Sequence, residues 1–153
     1  MPDSASLSHD SDVLIAGGGN AALCAAIVAA RAGAQVLVVE RAPKSYRGGN
    51  TRHTRNMRVA HATGNDILTG PYPVAEFWDD LLRVTQGRTN HDLAQFTLEK
   101  SQELWDFLKA QGVRYQPSLG GTLSLGRTNA FFLGGGRTML NALYHMAEDL
   151  GVG

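Results

Sequence analysis

Three consecutive glycines, Gly17, Gly18 and Gly19, and one carboxylate, Glu40, set 21 positions beyond the last of them, carry the clearest chemical spacing in this chain. The glycines follow an apolar run, Val13 to Ala16, and a second run, Val36 to Val39, leads straight into Glu40. Between the runs lies an alanine-rich stretch that no proline interrupts. Strand, glycine turn, helix, strand and carboxylate within about thirty residues is the arrangement that the ADP half of a dinucleotide requires. Gly17 lets the chain turn out of the strand, and Gly19 brings no Cβ against a diphosphate. Ala22 occupies the third position of G-x-G-x-x-G/A, where a small residue keeps helix and sheet close. The N–H groups opening the helix, at Asn20, Ala21 and Ala22, present the positive end of its dipole to phosphate. Glu40 stands where a carboxylate accepts from the adenosine ribose, and an acid there disfavours a 2′-phosphate. An ordinary βαβ unit with a tight turn is the bland alternative to this nucleotide site.

A second concentration of chemistry follows directly. Between Arg41 and Arg58 stand six of the fourteen basic residues, Arg41, Lys44, Arg47, Arg52, Arg55 and Arg58, and no acid. The segment starts at the carboxyl end of a strand, where open α/β sheets bind ligands, so an anion site competes with a solvated basic loop. Gly48 and Gly49 permit close backbone approach to something planar or anionic, and Asn50 and Thr51 offer hydrogen bonds beside it. Arg52, Arg55 and Arg58 are candidates for neutralising carboxylates or phosphates. Residues 76 to 106 hold seven acids against three bases, so the net charge of zero conceals two opposed patches. The neutral total gives no sign of nucleic acid as a partner.

Size and composition bound the rest. A chain of 153 residues, 43% hydrophobic and 18% charged, can bury a real core and is not composed like a disordered one. The single cysteine, Cys24, excludes an internal disulfide and a cysteine-cluster metal site, and among alanines it reads as a small packing residue; no metal site is expected. No run approaches the roughly 18 apolar residues of a membrane span. The polar, acidic start, MPDSASLSHDSD, is unlike a signal peptide and suggests a disordered lead-in to a cytoplasmic protein.

Those chemical residues need elements to hold them. Residues 1–11 read as a tail, 12–72 as the βαβ unit with its loop, 73–136 as a helical and short-strand segment, and 137–153 as a helix returning to the first domain. Residues 42–66 lack helical or alternating periodicity and read as a long ordered loop, a form that is usually functional. Val74 to Thr85 is an amphipathic helix carrying Phe77, Leu81 and Leu82. A longer helix runs from about Asp92 to Gln111, capped by Thr89 or Asn90 and stopped by Gly112. Leu93, Phe96, Leu104, Phe107 and Leu108 form its core face, with Trp105 at the flank. Val113, Tyr115, Leu123, Leu125, Phe131 and Phe132 suggest short antiparallel strands. After the glycines at 134–136 and Arg137, a last helix capped by Thr138 places Met139, Leu143, Met146 and Leu150 on one face and ends at Gly151. A two-strand parallel pair makes a poor sheet, so a further strand is expected beyond Val152 and Gly153, as in the N-terminal piece of a longer protein.

GGGNAALCAA, VERAPKSYRGGNTRHTRNMR and FFLGGGRTMLNALYHMAEDLGV together resemble the FAD-binding half of the fumarate reductase/succinate dehydrogenase flavoproteins, most of all the FAD-dependent tricarballylate dehydrogenase group and its CobZ-type relative of cobalamin synthesis. The resemblance implies an α/β, Rossmann-like FAD domain of glutathione-reductase-like topology, with part of an inserted substrate domain. It puts Gly17, Gly18, Gly19, Asn20, Ala21 and Ala22 on the FAD diphosphate, Glu40 on the adenosine ribose with Arg41 beside it, and Gly48, Gly49, Asn50 and Thr51 along the diphosphate and flavin. It implies oxidation of a small polycarboxylate such as tricarballylate: a hydride leaves a carbon next to a carboxylate while a base takes the neighbouring proton. It also leaves room for an electron-accepting protein. A corrin-modifying flavoprotein, or a non-catalytic nucleotide-binding module, remains as an alternative, and the usual nicotinamide fold has no role for GGNTRHTRN. The family loop continues with small residues, whereas this chain has Arg52-His53-Thr54-Arg55-Asn56, charges that would alter flavin electronics. The position of the family's covalent histidine matches Thr51, not His53. His61 lies near the same loop, and His91 and His145 read as surface or packing residues. Catalytic residues are expected downstream of residue 153, so the chain alone should bind FAD weakly and not turn over substrate.

Overall fold

A computed structural model describes residues 10–118 and 124–153. The expected tail falls largely outside the described residues, as does Leu123. The chain divides into two compact units, one holding the chain up to Arg52 and from Leu140 to Gly153, the other holding His53–Met139.

The first unit is built on β1 (Val13–Ala16) and β2 (Val36–Val39), parallel and in register from Val13↔Val36 to Ala16↔Val39, joined by helix α1 (Asn20–Arg31). Alanines make α1 thin enough to lie close to the strands. Leu23, Ala26 and Ile27 are its buried residues, none more than 1% exposed. Each large apolar side chain so buried contributes about 1.5–3 kcal/mol. Gly33 ends the helix at φ +91° and lets the Ala34 N–H return to Ala29 O at 3.1 Å. The other side of β2 is bonded as well: Gly153 N donates to Val36 O at 3.0 Å, and Val38 N donates to Gly153 O at 2.9 Å. That alternation is the hydrogen-bond pattern of a parallel neighbour, so β2 has partners on both edges. From Leu140 onward, helix α5 (Gly135–Asp149) adds the buried Leu140, Leu143 and Ala147.

The second unit pairs β3 (Asn56–Arg58) antiparallel with β4 (Asn129–Phe131), extended by bridges His61↔Tyr72 and Tyr115↔Phe132. Helices α2 (Val74–Thr85), α3 (His91–Glu99) and α4 (Ser101–Ala110) complete it. Trp105, Tyr115 and Phe132 form a run of packed rings, 5.8 and 5.3 Å between successive centroids.

Several expectations need correcting. The loop expected over 42–66 contains a 3-10 turn (Gly49–His53) and β3, whose three residues are too few to show a period. The helix expected from Asp92 to Gln111 is two helices, broken at Lys100. The buried Ser101 hydroxyl donates to Leu98 O at 2.7 Å and accepts from Ala60 N at 2.9 Å, so Leu98's carbonyl bonds a side chain at the break. Asn90 caps α3 by accepting from Leu93 N at 3.0 Å. The break also changes which face is covered. Leu93 and Phe96 are 63% and 59% exposed, and α4 buries Ser101, Trp105 and Leu108 at i, i+4, i+7, which puts Trp105 at the centre of the face, not its flank. The last helix begins at Gly135. Thr138, inside its first turn, donates back to Gly134 O at 3.0 Å and does not cap it.

Candidate functional site

The site is assembled at the carboxyl ends of β1 and β2 within the first unit. Gly17 has φ +97°, a conformation side chains rarely adopt, and its N–H donates to Val39 O at 2.7 Å as the chain leaves the strand. Gly19 is different. It caps α1 with extended backbone at φ −80°, so space and not conformation selects glycine: a Cβ there would lie 3.3 Å from Thr51 Oγ1 and 3.6 Å from Gly48 O.

Glu40 ties the two glycine segments together. Oε2 accepts from Gly18 N at 3.0 Å and Gly48 N at 3.2 Å, and Oε1 accepts from Ala42 N at 2.9 Å. The Ala42 N–H first, then Gly48's, hold its carboxyl below the usual carboxylate range. The Arg41 backbone N–H adds to these, so backbone donors from both segments engage the carboxylate. The Thr51 hydroxyl accepts from Asn20 N at 3.1 Å, which leaves its own proton to donate. Among the described residues, no protein acceptor meets the N–H of Gly19, Ala21 or Ala22. Unpaired amides at a helix N-terminus beside a free hydroxyl suit a multiply charged oxyanion, and so fit the diphosphate of a dinucleotide.

Arg41, Gly49 and Asn50 are exposed, and Gly48 is buried at φ +100°, where a Cβ would meet Leu140 Cδ1 at 2.3 Å. The Arg52 guanidinium lies 5.2 Å from the Tyr46 ring centroid. Arg55 is exposed. Arg58 is committed inside its own unit, donating to Tyr72 Oη at 3.0 Å and Asp80 Oδ2 at 3.3 Å. The Tyr72 phenol, which donates to Asp80 at 2.8 Å, is pushed up to about 12 mainly by burial. His61 is buried, with its ring nitrogens 2.7 and 2.6 Å from the carbonyls of Val59 and Gly70. His53, His91 and His145 are exposed. Burial raises the Cys24 thiol to about 11, which makes it a packing residue and a poor nucleophile at neutral pH. No cluster of three His, Cys, Asp or Glu side chains among the described residues could hold a metal. No described helix is long and apolar enough to cross a membrane.

Sequence reasoning missed Tyr144 and Glu148 here, and read Arg47 only as one of six basic residues. Tyr144 donates to Gly18 O at 3.0 Å, Arg47 lies 3.4 Å from the Tyr144 ring centroid, and Glu148 is 3.9 Å from Arg47. Together with Glu40, Lys44 and Val152 they line a cleft of about 350 Å³. Leu140, Tyr144 and Glu148 recur at i, i+4, i+8 on α5. That spacing was the available signal, but an apolar face was the stronger pattern.

This turn, carboxylate and helix terminus define a dinucleotide-binding α/β protein. Residues 12–149 match the FAD binding domain family, and the chain belongs to it; its cofactor is FAD. A digoxin reductase from Eggerthella lenta is 33% identical over 110 residues, which cover 71% of this chain and 20% of that protein. Among solved structures, 3-ketosteroid-Δ4-(5α)-dehydrogenase from Rhodococcus jostii superimposes with a TM-score of 0.77 at 22% identity, over 98% of this chain and 39% of its own. The open conformation of a flavocytochrome c3 fumarate reductase gives 0.73 at 23% identity, over 95% and 26%. The fold is thus an α/β FAD-binding fold shared with flavoenzymes, and the chain spans only 20% of its curated relative's length.

Proposed function

We propose that this chain holds FAD for an FAD-dependent dehydrogenase, with the diphosphate lying along the turn Gly17, Gly18, Gly19 and Asn20 and accepting from the open N–H groups of Gly19, Ala21 and Ala22, and with the adenosine ribose on Glu40. Gly48, Gly49, Asn50 and Thr51 line the path toward the flavin, Arg41 stands beside the ribose, and the topology is that of a Rossmann-like, glutathione-reductase-like domain. The observation that carries the reading is the open set of amides at Gly19, Ala21 and Ala22 beside the Thr51 hydroxyl. The carboxylate of Glu40, held in its charged form, suits a ribose hydroxyl and repels a 2′-phosphate. Bound FAD supplies a two-electron acceptor. The chain's own residues hold and orient it.

The substrate in this proposal is a small polycarboxylate, tricarballylate first. Its support is the acid-free basic segment, where Arg52 and Arg55 remain available for carboxylates. Arg58 is the weakest of the three candidates because Asp80 and Tyr72 already engage it. A CobZ-type enzyme would share this cofactor site and differ in what it oxidises. The likeness to digoxin reductase favours a second reading, reduction of a bulkier molecule.

Titrating the protein with FAD should give flavin bands near about 370 and 450 nm in the protein-bound fraction, set by the cofactor's ring. Gly19→Val should abolish them, because its branched side chain enters the space between Gly19, Thr51 and Gly48. A folded protein that binds ADP without flavin would favour a non-catalytic module, and bound flavin in Gly19→Val would overturn the assigned turn. Holoenzyme reduced by tricarballylate supports the first substrate reading; digoxin turnover with no response to tricarballylate supports the second.

A further inference from the structure

Tyr144 is 126 positions from Gly18, yet its hydroxyl donates to the Gly18 carbonyl at 3.0 Å. That carbonyl shares a peptide group with the Gly19 N–H, and no peptide bond among the described residues is cis. In a trans peptide, C=O and N–H point in opposite directions. Holding the carbonyl on the α5 side therefore turns the Gly19 N–H away from α5. The preceding peptide is fixed as well, because the Gly18 N–H is held by Glu40 Oε2 at 3.0 Å. Gly18 is thus clamped from both sides by side chains that arrive from β2 and α5.

The same contact explains the middle glycine. Gly18 is not among the residues with positive φ, so its backbone would accept a side chain. The space would not: a Cβ would stand 1.9 Å from Tyr144 Oη and 3.1 Å from Glu40 Oε2. Arg47 steadies the tyrosine by stacking on its ring, its guanidinium 3.4 Å from the ring centroid and 3.9 Å from Glu148. A cation over the ring also makes the phenol a stronger donor.

We propose that Tyr144, backed by Arg47, is a positioning residue for the cofactor: its phenol fixes the Gly18–Gly19 peptide so that the Gly19 N–H is pre-aimed to donate to the diphosphate. The inference rests on the FAD assignment above. A loop that already holds its donors in place binds without the cost of ordering them, so removing the clamp lowers affinity and not just stability.

The test is the dissociation constant of FAD, read by quenching of flavin fluorescence, and of ADP, read by competition. Both are measured well below the melting temperature, where the folded fraction does not enter. Tyr144→Phe should weaken FAD and ADP alike by about threefold to tenfold, the value of one hydrogen bond. Arg47→Gln should weaken both by about twofold to fivefold through loss of the stacked cation. A Tyr144→Phe protein that melts earlier but binds FAD and ADP as the wild type does would overturn the proposal and leave Tyr144 a packing residue. If Tyr144→Phe does not fold, Arg47→Gln decides alone, and unchanged affinities there are contradictory. Wild-type protein that binds neither ligand would instead sink the FAD assignment, and this inference with it.

Discussion

Glu40 accepts backbone N–H bonds from two separate segments, so it organises the site before it touches any ligand. Glu40→Gln keeps the shape but sets an NH2 group against at least one of those donors. It should cost about 1–3 kcal/mol of stability, read by thermal denaturation, because a donor loses its acceptor. The pH dependence follows from the direction of the shift. The folded carboxyl is held below its ordinary range, so its contribution is complete above the unfolded value of about 4.3 and is lost as pH falls through the lower folded value. A melting temperature that declines less steeply below about pH 4.3 in Glu40→Gln than in wild type checks this. The spacing of Glu40 from Gly19 was legible in the sequence. The saturation of its Oε2 was not, because Gly48 reaches it through a loop whose path no local pattern encodes.

Elements were legible where local preference and packing agree. Helix α2 has the bounds its periodicity predicts, Val74–Thr85, and the parallel pair β1–β2 stands where the two apolar runs put it. The break at Lys100 could not be read, because it depends on Ser101 meeting Ala60, 41 positions away. Ser101→Ala should therefore cost about 1–3 kcal/mol, since the buried Ala60 N–H is left without its acceptor. Urea denaturation measures it, and a loss below about 0.5 kcal/mol, the range of an indifferent surface change, would mean that another acceptor takes over. The role of Tyr144 was hidden for the same reason. It becomes visible only when α5 lies beside a turn from the other end of the sequence.

At the scale of the whole chain, zero net charge says little, while the segregation of charge says more. The basic residues Arg41, Lys44, Arg47 and Arg52 share a unit with the glycine turn, and the acids concentrate in 76–106. If the basic segment helps to hold the diphosphate, FAD affinity should fall several-fold between about 0.1 and 1 M salt, as the screening length shortens from about 10 to 3 Å. Riboflavin, which lacks the phosphates, should show no such slope. Equal salt dependence for the two would assign the effect to the fold and not to the phosphate contact.

The most direct test of the central claim is a nuclear magnetic resonance titration that follows individual backbone amides as FAD is added. With the diphosphate on these amides, the signals of Gly19, Ala21 and Ala22 should move most, ADP should move the same three, and riboflavin should leave them in place. FAD binding that shifts other amides while these three stay still would contradict it.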